Sequence, residues 1–329
     1  SSKQTIPNDL NFSDLMLGYV VRRIFIFLAS VVAASLLVFF VMSVLPGDPA
    51  VVMLGTQATP ESVEALGQEL GLNRPFLVRY FDWAGSAMRG DLGVSFFSGI
   101  AIGGQIAERL KVTLPLAFMA MTMTILVAFP AGVFAAARHR KPADTFVSVS
   151  SQIGLAIPAF WAGLILVTVF AVNLSWFPAG GFPGWDEGFW QAIQALFLPA
   201  ISLALVQSAI LTRYVRSAVL ETLKLDFIRT ARAKGLSRSA ALWRHGLRNA
   251  SIPVLTVLGL QFAALLAGTV VIESVFVLPG LGSMLLQAIT RRDLFLVQGG
   301  TIVIVTFILL ISLVVDIVYH LVDPRLRAQ

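Results

Sequence analysis

Residues Ile24–Leu45 read IFIFLASVVAASLLVFFVMSVL, an unbroken run of 22 uncharged residues. An α-helix needs about 20 predominantly apolar residues to cross the hydrocarbon core of a bilayer. The next residues, 46–49, do not resemble the cleavage site of a signal peptide, so the run is interpreted as a retained transmembrane helix.

Five further uncharged runs have a similar length: Leu114–Ala137, Thr145–Leu174, Phe189–Thr212, Ala250–Ile272 and Leu294–Val315. The sequence therefore predicts an all-α polytopic membrane protein with six transmembrane helices. Pro130, Pro158 and Pro199 are among the prolines inside these runs, where neighbouring helices can accommodate kinks.

The composition is that of a membrane protein with basic loops. Hydrophobic residues make up 57% of the chain and charged residues 13%, against about 25% charged residues in a soluble domain. The net charge of +6 fits loops that face lipid headgroups, and no nucleic-acid partner is expected because no soluble basic face is predicted. There is no cysteine, and the three histidines lie at the edges of separate apolar runs. No metal site and no cofactor are predicted.

The distribution of Lys and Arg predicts the orientation in the membrane. If the N-terminal segment, 1–23, is cytoplasmic, the predicted inside segments hold 17 of the 24 basic residues. The opposite orientation inverts this ratio and contradicts the positive-inside rule. Both termini, including the tail 322–329, are therefore expected in the cytoplasm.

The first outer loop, 46–113, is too long for a bare connection and contains helix-terminating signals. Thr59 can act as an N-cap, with Pro60 at the first helical position, and Gly71 can end that helix. A second helix is expected over Pro75–Arg89, where apolar residues recur at helical spacing. These signals predict a small helical domain outside the membrane, which either seals the spans or docks an external partner.

The inner loop 213–250 is the most basic part of the chain. Asp226 is a plausible N-cap for a short helix, Phe227–Lys234, and Gly235 fits the left-handed position that ends it. Ser237 is expected to cap a second helix that runs from Arg238 to about Asn249. Two short helices with a sharp turn suit a groove on another protein, while the charge alone also suits anionic lipid headgroups.

This loop resembles the coupling loop of importer-type ABC permeases, whose pattern is Glu-Ala-Ala, three residues, Gly, and a downstream Pro. Ala231 and Gly235 fall on the third and seventh positions, and Pro253 follows the loop. Arg229 and Thr230 stand at the first two positions, so the Glu-Ala of the pattern is absent. The form DFIRTARAKGLS, at 226–237, is typical of the dipeptide/oligopeptide/nickel branch.

Other stretches carry the same resemblance from Arg22 onward. They are Arg22-Arg23, Leu45–Pro49, Leu70–Pro75, Gly90–Gly93, Leu278–Gly282, Arg291–Asp293 and Asp323–Arg325. Each motif alone is weak, but their order and spacing together are specific. The long outer loop resembles the B-type subunit of the permease pair more than its C-type partner.

The resemblance implies a type I importer permease fold, with a transmembrane core of five helices over 109–321 and a first helix over 24–45. It also implies that two homologous permease subunits form one pathway in a bacterial inner membrane. Two cytoplasmic ATPases each receive one coupling loop, and an external binding protein delivers the substrate. The expected ATPase contacts are Asp226, Arg229, Thr230, Ala231, Arg232, Lys234, Gly235 and Leu236, with Arg232 and Lys234 as the polar contacts or as solvated charges. The substrates of this branch are peptides, with nickel, glutathione or an opine-like solute as alternatives.

No nucleotide-binding loop of the form GxxxxGK[ST] is present, and no catalytic constellation is visible. The chain is therefore expected not to be an enzyme, with ATP hydrolysis on partner subunits. Candidate pathway residues are the polar groups in or at the edges of the spans: Gln152, Gln207, Gln261 and Glu273. Each amide could instead bond to a neighbouring helix, and Glu273 could serve interfacial packing. Two other classes, a secondary transporter and a structural membrane-complex subunit, remain as alternatives.

Overall fold

The computed structural model describes residues 12–44 and 49–322 of the chain, and all elements named here lie in these two ranges. The expectations for 1–11 and 323–329, and for the motif residues 45–48, lie outside the described residues. The α-helices are α1 Phe12–Val44, α2 Pro49–Leu54, α3 Pro60–Glu69, α4 Phe76–Ala87, α5 Ile102–Ala137, α6 Pro142–Ala156, α7 Ala159–Leu166, α8 Phe189–Thr222, α9 Asp226–Ala233, α10 Arg238–Ala241, α11 Leu247–Val275, α12 Leu281–Arg291 and α13 Leu294–Val322.

Within residues 12–44 and 49–322, five helical segments are long and apolar enough to cross a membrane, and a bent helix pair makes a sixth span if the pair is counted as one. The five are based on α1, α5, α8, α11 and α13. The predicted fold class is thus confirmed. The uncharged runs nevertheless underestimate the lengths of three helices. Helices α1 and α5 begin twelve residues before their runs, and α8 continues ten residues beyond its run. The outer loop predicted over 46–113 correspondingly ends where α5 begins, at Ile102.

The third predicted span is not a single helix. It consists of α6 and α7, with α7 extended by a π-helical segment to Asn173, and the two halves are bent by 95°. The break falls at Ile157 and Pro158, where the proline ring prevents a continuous helical backbone. Pro130 and Pro199, in contrast, lie inside continuous helices, so only one of these three prolines separates two elements.

Helix α8 forms the centre of the bundle, with 72% of its most apolar window buried. It packs against α5, α6, α7 and α11, while α1 and α13 pair with each other at the periphery. Close approach of α5 to α8 depends on Gly132, where an added Cβ would lie 2.7 Å from the Cβ of Val215. The main core is built from buried apolar side chains such as Leu116, Leu196 and Leu265.

The helical signals in the first outer loop are confirmed. Thr59 caps α3 through a reciprocal box with Ser62, in which each side chain accepts from the backbone N–H of the other residue. The chain leaves α3 through Gly71, whose φ is +66°, and α4 follows from Phe76. Helix α12 was not predicted, because its eleven residues are too few to give a membrane-span signal.

Candidate coupling surface and transport pathway

The short helix α9 lies in the turn between α8 and α11. Its N-cap is Leu225 and not Asp226, so the predicted cap is wrong by one residue. Asp226 instead occupies the first helical turn, where a carboxylate is favourable beside unpaired backbone N–H groups. Its exposed carboxylate lies 3.3 Å from Arg229, and such a solvent-exposed pair contributes little stability.

One side chain fixes α9 to the bundle. Ile228 is completely buried and its Cδ1 lies 3.6 Å from the position that a Cβ on Gly246 would take. Around Ile228 a small pocket is lined by residues of the α8 end and by the polar side chains of His139, Arg232 and Arg238. The helix is thus held by its buried side and presents the opposite side outward.

Most of the predicted contact residues are on that outward side. Asp226, Arg229, Thr230, Arg232, Lys234 and Gly235 are exposed, whereas Ala231 and Leu236 are half-buried. The exposed set combines several cations with little apolar surface, which suits a polar partner groove or an anionic surface.

The turn after α9 has the geometry predicted from Gly235. The φ of this glycine is +94°, its N–H donates to the carbonyl of Arg232, and the N–H of Leu236 donates to the carbonyl of Ala231. These two bonds form a Schellman motif, which satisfies carbonyl groups at the end of the helix. The chain therefore reverses direction sharply at one glycine.

The segment after the turn is continuous with the fifth span. Ser237 caps α10 as predicted, accepting a backbone N–H at 3.2 Å. The predicted end near Asn249 is wrong, because α10 passes through a π-helical turn, Leu242–Gly246, directly into α11. Movement of the α9–α10 turn is therefore connected to a span without an intervening loop.

A partly buried ion network centred on Asp144 lies beside this turn. The Arg216 guanidinium contacts both carboxylate oxygens of Asp144, at 2.6 and 2.9 Å. Asp144 also accepts the N–H of Arg140 at 3.0 Å and lies 3.1 Å from Nδ1 of His139. The network joins the start of α6 to α8, and His139 lines the pocket that contains Ile228.

The sequence reasoning did not identify this network. The one sequence feature that pointed to the network was Asp144, an acidic residue in the first turn of a helix that begins at Pro142. Pairing with Arg216, 72 positions away, is a property of the folded bundle that no local pattern contains.

The structure places Glu273 at a junction of three helices. This completely buried carboxylate of α11 accepts the Oγ1–H of Thr113 at 2.6 Å and the N–H of Ser283 at 2.9 Å. Thr113 also accepts the N–H of Leu281 at 2.8 Å. Glu273 therefore connects α5, α11 and the start of α12.

The three candidate glutamines occupy different environments. Gln152 is exposed on α6, in an open cleft shared with Arg213 and Tyr214 of α8. Gln207 and Gln261 are buried, and among the described residues Oε1 of Gln207 and both amide atoms of Gln261 have no hydrogen-bond partner. Buried amide groups usually have hydrogen-bond partners. Gln207 and Gln261 differ from ordinary packing residues because they hold buried polar atoms without such partners.

The comparison with protein families decides the classification. The profile described as "Binding-protein-dependent transport system inner membrane component" matches residues 128–328, and the profile for its N-terminal part matches residues 16–117. The chain belongs to this family. It is the multi-pass inner-membrane component of a binding-protein-dependent importer, which implies an ATPase and a substrate-binding protein as partners. This classification excludes the secondary-transporter and structural-subunit alternatives.

Individual permeases of the family match this permease along nearly its whole length. The oligopeptide transport system permease protein AppB of Bacillus subtilis is 38% identical over 315 residues, covering 95% of this chain and 100% of AppB. The glutathione transport system permease protein GsiC of Escherichia coli is 36% identical over 312 residues, covering 95% of this chain and 99% of GsiC.

A solved structure supports the permease fold. A chain of the inward-facing MetNI methionine ABC transporter superposes with a TM-score of 0.56 at 17% identity, covering 67% of this chain and 96% of that chain. At this identity the likeness concerns the fold alone.

Proposed function

We propose that this permease forms half of the translocation pathway of an ATP-driven importer for di- or oligopeptides. The observation that carries the proposal is the full-length similarity to an oligopeptide permease at 38% identity. The exposed α9 turn, held on the bundle by Ile228, supports the coupling part of this function.

In the proposed importer, a second homologous permease subunit completes the pathway. Two ATPases bind the two coupling turns, and an external binding protein delivers the peptide. On this permease α9 enters a groove of one ATPase, with Arg229, Arg232 and Lys234 as the exposed polar contacts. Because α10 runs directly into α11, rigid-body movement of the ATPase is transmitted to a span.

The proposed orientation places both termini and the α9 turn in the cytoplasm. The excess of Lys and Arg on the predicted inside segments supports this orientation. Helices α2 and α3 then lie on the external side, where the binding protein docks.

The proposed pathway is lined in part by Gln152, Gln207 and Gln261. Their support is chemical, since amides can pair with the peptide groups of a substrate and two of them hold unpaired polar atoms in the described structure. Glu273 has a weaker case, because its carboxylate oxygens already accept hydrogen bonds from Thr113 and Ser283.

Glutathione is a second candidate substrate, favoured by the 36% identity to a glutathione permease. Nickel and opine-like solutes remain alternatives from the sequence resemblance. Glutathione is itself a small peptide, so the two leading candidates share charged termini and amide groups.

The deciding experiment is purification of the tagged permease with the proteins encoded beside it, followed by an ATPase assay in proteoliposomes. We expect two ATPase subunits and a second permease in the complex. ATP hydrolysis should increase when the loaded binding protein is added with dipeptides or oligopeptides. A complex without an ATPase contradicts the coupling proposal, whereas stimulation by glutathione or nickel alone replaces the peptide assignment.

A further inference from the structure

Helix α4 belongs to the external segment, the residues 49–101 between α1 and α5, and one of its faces packs against α1. Phe76, Tyr80 and Trp83 recur on this face and surround Phe39 of α1, with ring centroids 5.4, 5.6 and 5.9 Å from its centroid. These contacts fix α4 to the side of a span.

The contacts extend deep along α1. The Tyr80 hydroxyl lies 2.8 Å from Oγ of Ser35 and 3.5 Å from the carbonyl of Val32, while Phe40 contacts α4 nearer the helix end. At a rise of 1.5 Å per residue, Phe40 is about 6 Å and Val32 about 18 Å from Val44, the end of α1. An apolar core of about 30 Å therefore places these contacts beside the outer half of the span.

A second face of α4 is apolar and uncovered. Leu77 and Phe81 follow one another along the helix and Met88 is its C-cap; the three side chains are 59, 67 and 85% exposed. Phe40, 52% exposed on α1, continues this surface because its ring contacts Phe76 of α4. The exposed stripe of α4 is thus continuous with the exposed surface of a transmembrane helix.

The remaining face of α4 is polar and borders a cleft. Asp82 pairs with Arg74 at 2.8 Å, and both side chains are more than half exposed. These two residues, with Arg79 and Ser86, belong to the polar part of the lining of this cleft of about 620 Å³, and apolar side chains such as Phe39 form the rest. Apolar and polar surfaces on one helix are the pattern of a helix that lies in a membrane interface.

From this arrangement we infer that α4 lies within the outer leaflet of the bilayer, with Leu77, Phe81 and Met88 against lipid acyl chains. The occupant of the stripe is lipid and not a protein, because the surface continues that of α1 at the depth of the span. The external segment is then partly embedded in the membrane. The cleft that Arg74 and Asp82 line opens beside the lipid.

The absence of cysteine from the chain leaves each introduced cysteine as its single nitroxide-label site, once any cysteines of the partner subunits are replaced by serine. The permease, purified with its partner subunits and reconstituted in phosphatidylethanolamine/phosphatidylglycerol vesicles, carries Leu77→Cys, Phe81→Cys or Met88→Cys. Collision with oxygen, which concentrates in lipid, is compared with collision with a water-soluble nickel chelate. Leu37→Cys on the exposed side of α1 and Glu69→Cys on exposed α3 are the matched lipid and water controls.

We expect labels at positions 77 and 81 to show an oxygen-to-nickel collision ratio near that of position 37 and several-fold above that of position 69. A ratio at position 81 equal to that at position 69 overturns the inference, because the stripe then faces water. Low collision with both reagents also overturns it, because a protein then covers the stripe. Collision ratios are compared only for variants that still copurify with the partner subunits. Because three sites are labelled, the comparison can still be made if one variant does not fold.

Discussion

Arg216 of α8 contacts both carboxylate oxygens of Asp144 at the start of α6, through Nε at 2.6 Å and Nη2 at 2.9 Å. The Asp144 side chain is only 6% exposed, so its charge depends on this partner. Removing one member of a buried pair leaves the other charge uncompensated, which is more harmful than removing both. The pair therefore fixes the first half of the bent span against the central helix.

The first prediction concerns this pair. Arg216→Met should destabilise the permease by about 1.5–3 kcal/mol, the usual contribution of hydrogen bonds to charged groups. The loss is measured as a lower midpoint of thermal unfolding in detergent. The double variant Arg216→Met/Asp144→Leu should recover part of the loss, since no buried charge remains. Equal midpoints for the parent and Arg216→Met contradict the structural role of the pair.

The second prediction concerns the attachment of α9. Ile228→Ala removes the buried side chain of an eight-residue helix, and Ile→Ala substitutions in cores cost about 2–5 kcal/mol. Helices this short are not stable without tertiary packing. Amide hydrogen exchange over 226–236 should become much faster, and substrate should no longer stimulate ATP hydrolysis.

The matched control for this variant is Ser239→Ala, an exposed position on α10. It should leave both the exchange rates and the stimulation unchanged. Unchanged exchange in Ile228→Ala shows that other contacts hold α9.

The third prediction separates backbone conformation from contact at Gly235. A Cβ added at this glycine meets no atom within 4 Å, but its φ is +94°, a region that disfavours L-residues by about 1–2 kcal/mol. Gly235→Val should therefore distort the turn and reduce uptake strongly while the amount of inserted protein stays the same. Gly235→Asn should retain more uptake, because Asn tolerates positive φ better than β-branched residues. Normal uptake in Gly235→Val contradicts the coupling role of the turn.

The features that sequence reasoning predicted are those with local causes. The Thr59 cap, the reversal at Gly235 and the Ser237 cap each depend on residues within a few positions, so the chemistry of one residue type determines them. The transmembrane helices were predictable from the apolar runs for a similar reason, since a span needs about 20 apolar residues in succession. Helix ends were less predictable, because charged residues such as Arg216 extend helices beyond the apolar run.

The features that sequence reasoning missed have causes distant in the chain. Asp144 and Arg216 are 72 positions apart, and Ser35 meets Tyr80 across 45 positions. The proline at 158 predicted a disturbance but not a 95° bend, because the angle depends on how α6 and α7 pack against α8. Asp226 was predicted as the N-cap of α9, whereas the N-cap is Leu225. An error of one residue is typical of helix boundaries.

The fourth prediction concerns the contact between α11 and the turn before α12. A Cβ added at Gly280 would overlap the carboxyl group of Glu273, so Gly280→Ala should displace that group from Thr113 and Ser283. The loss of these buried hydrogen bonds should lower thermal stability by about 1–3 kcal/mol. Gly104→Ala is the control, because its added Cβ meets nothing within 4 Å, and its stability should not fall. If Gly280→Ala is as stable as Gly104→Ala, Glu273 does not hold this junction.

The fifth prediction distinguishes a pathway role from packing for the buried amides. Both amide atoms of Gln261 and Nε2 of Gln298 are buried without a partner among the described residues, and an unpaired buried amide costs about 1–3 kcal/mol. Gln261→Leu and Gln298→Leu should therefore each keep or raise the thermal midpoint, since leucine fills a similar volume without a polar group. If Gln261 contacts the peptide, only Gln261→Leu should also reduce uptake, measured with a radiolabelled peptide in proteoliposomes. Equal uptake in the two variants removes Gln261 from the proposed pathway, and a lower midpoint in Gln261→Leu shows instead that its amide has a structural partner in the assembled importer.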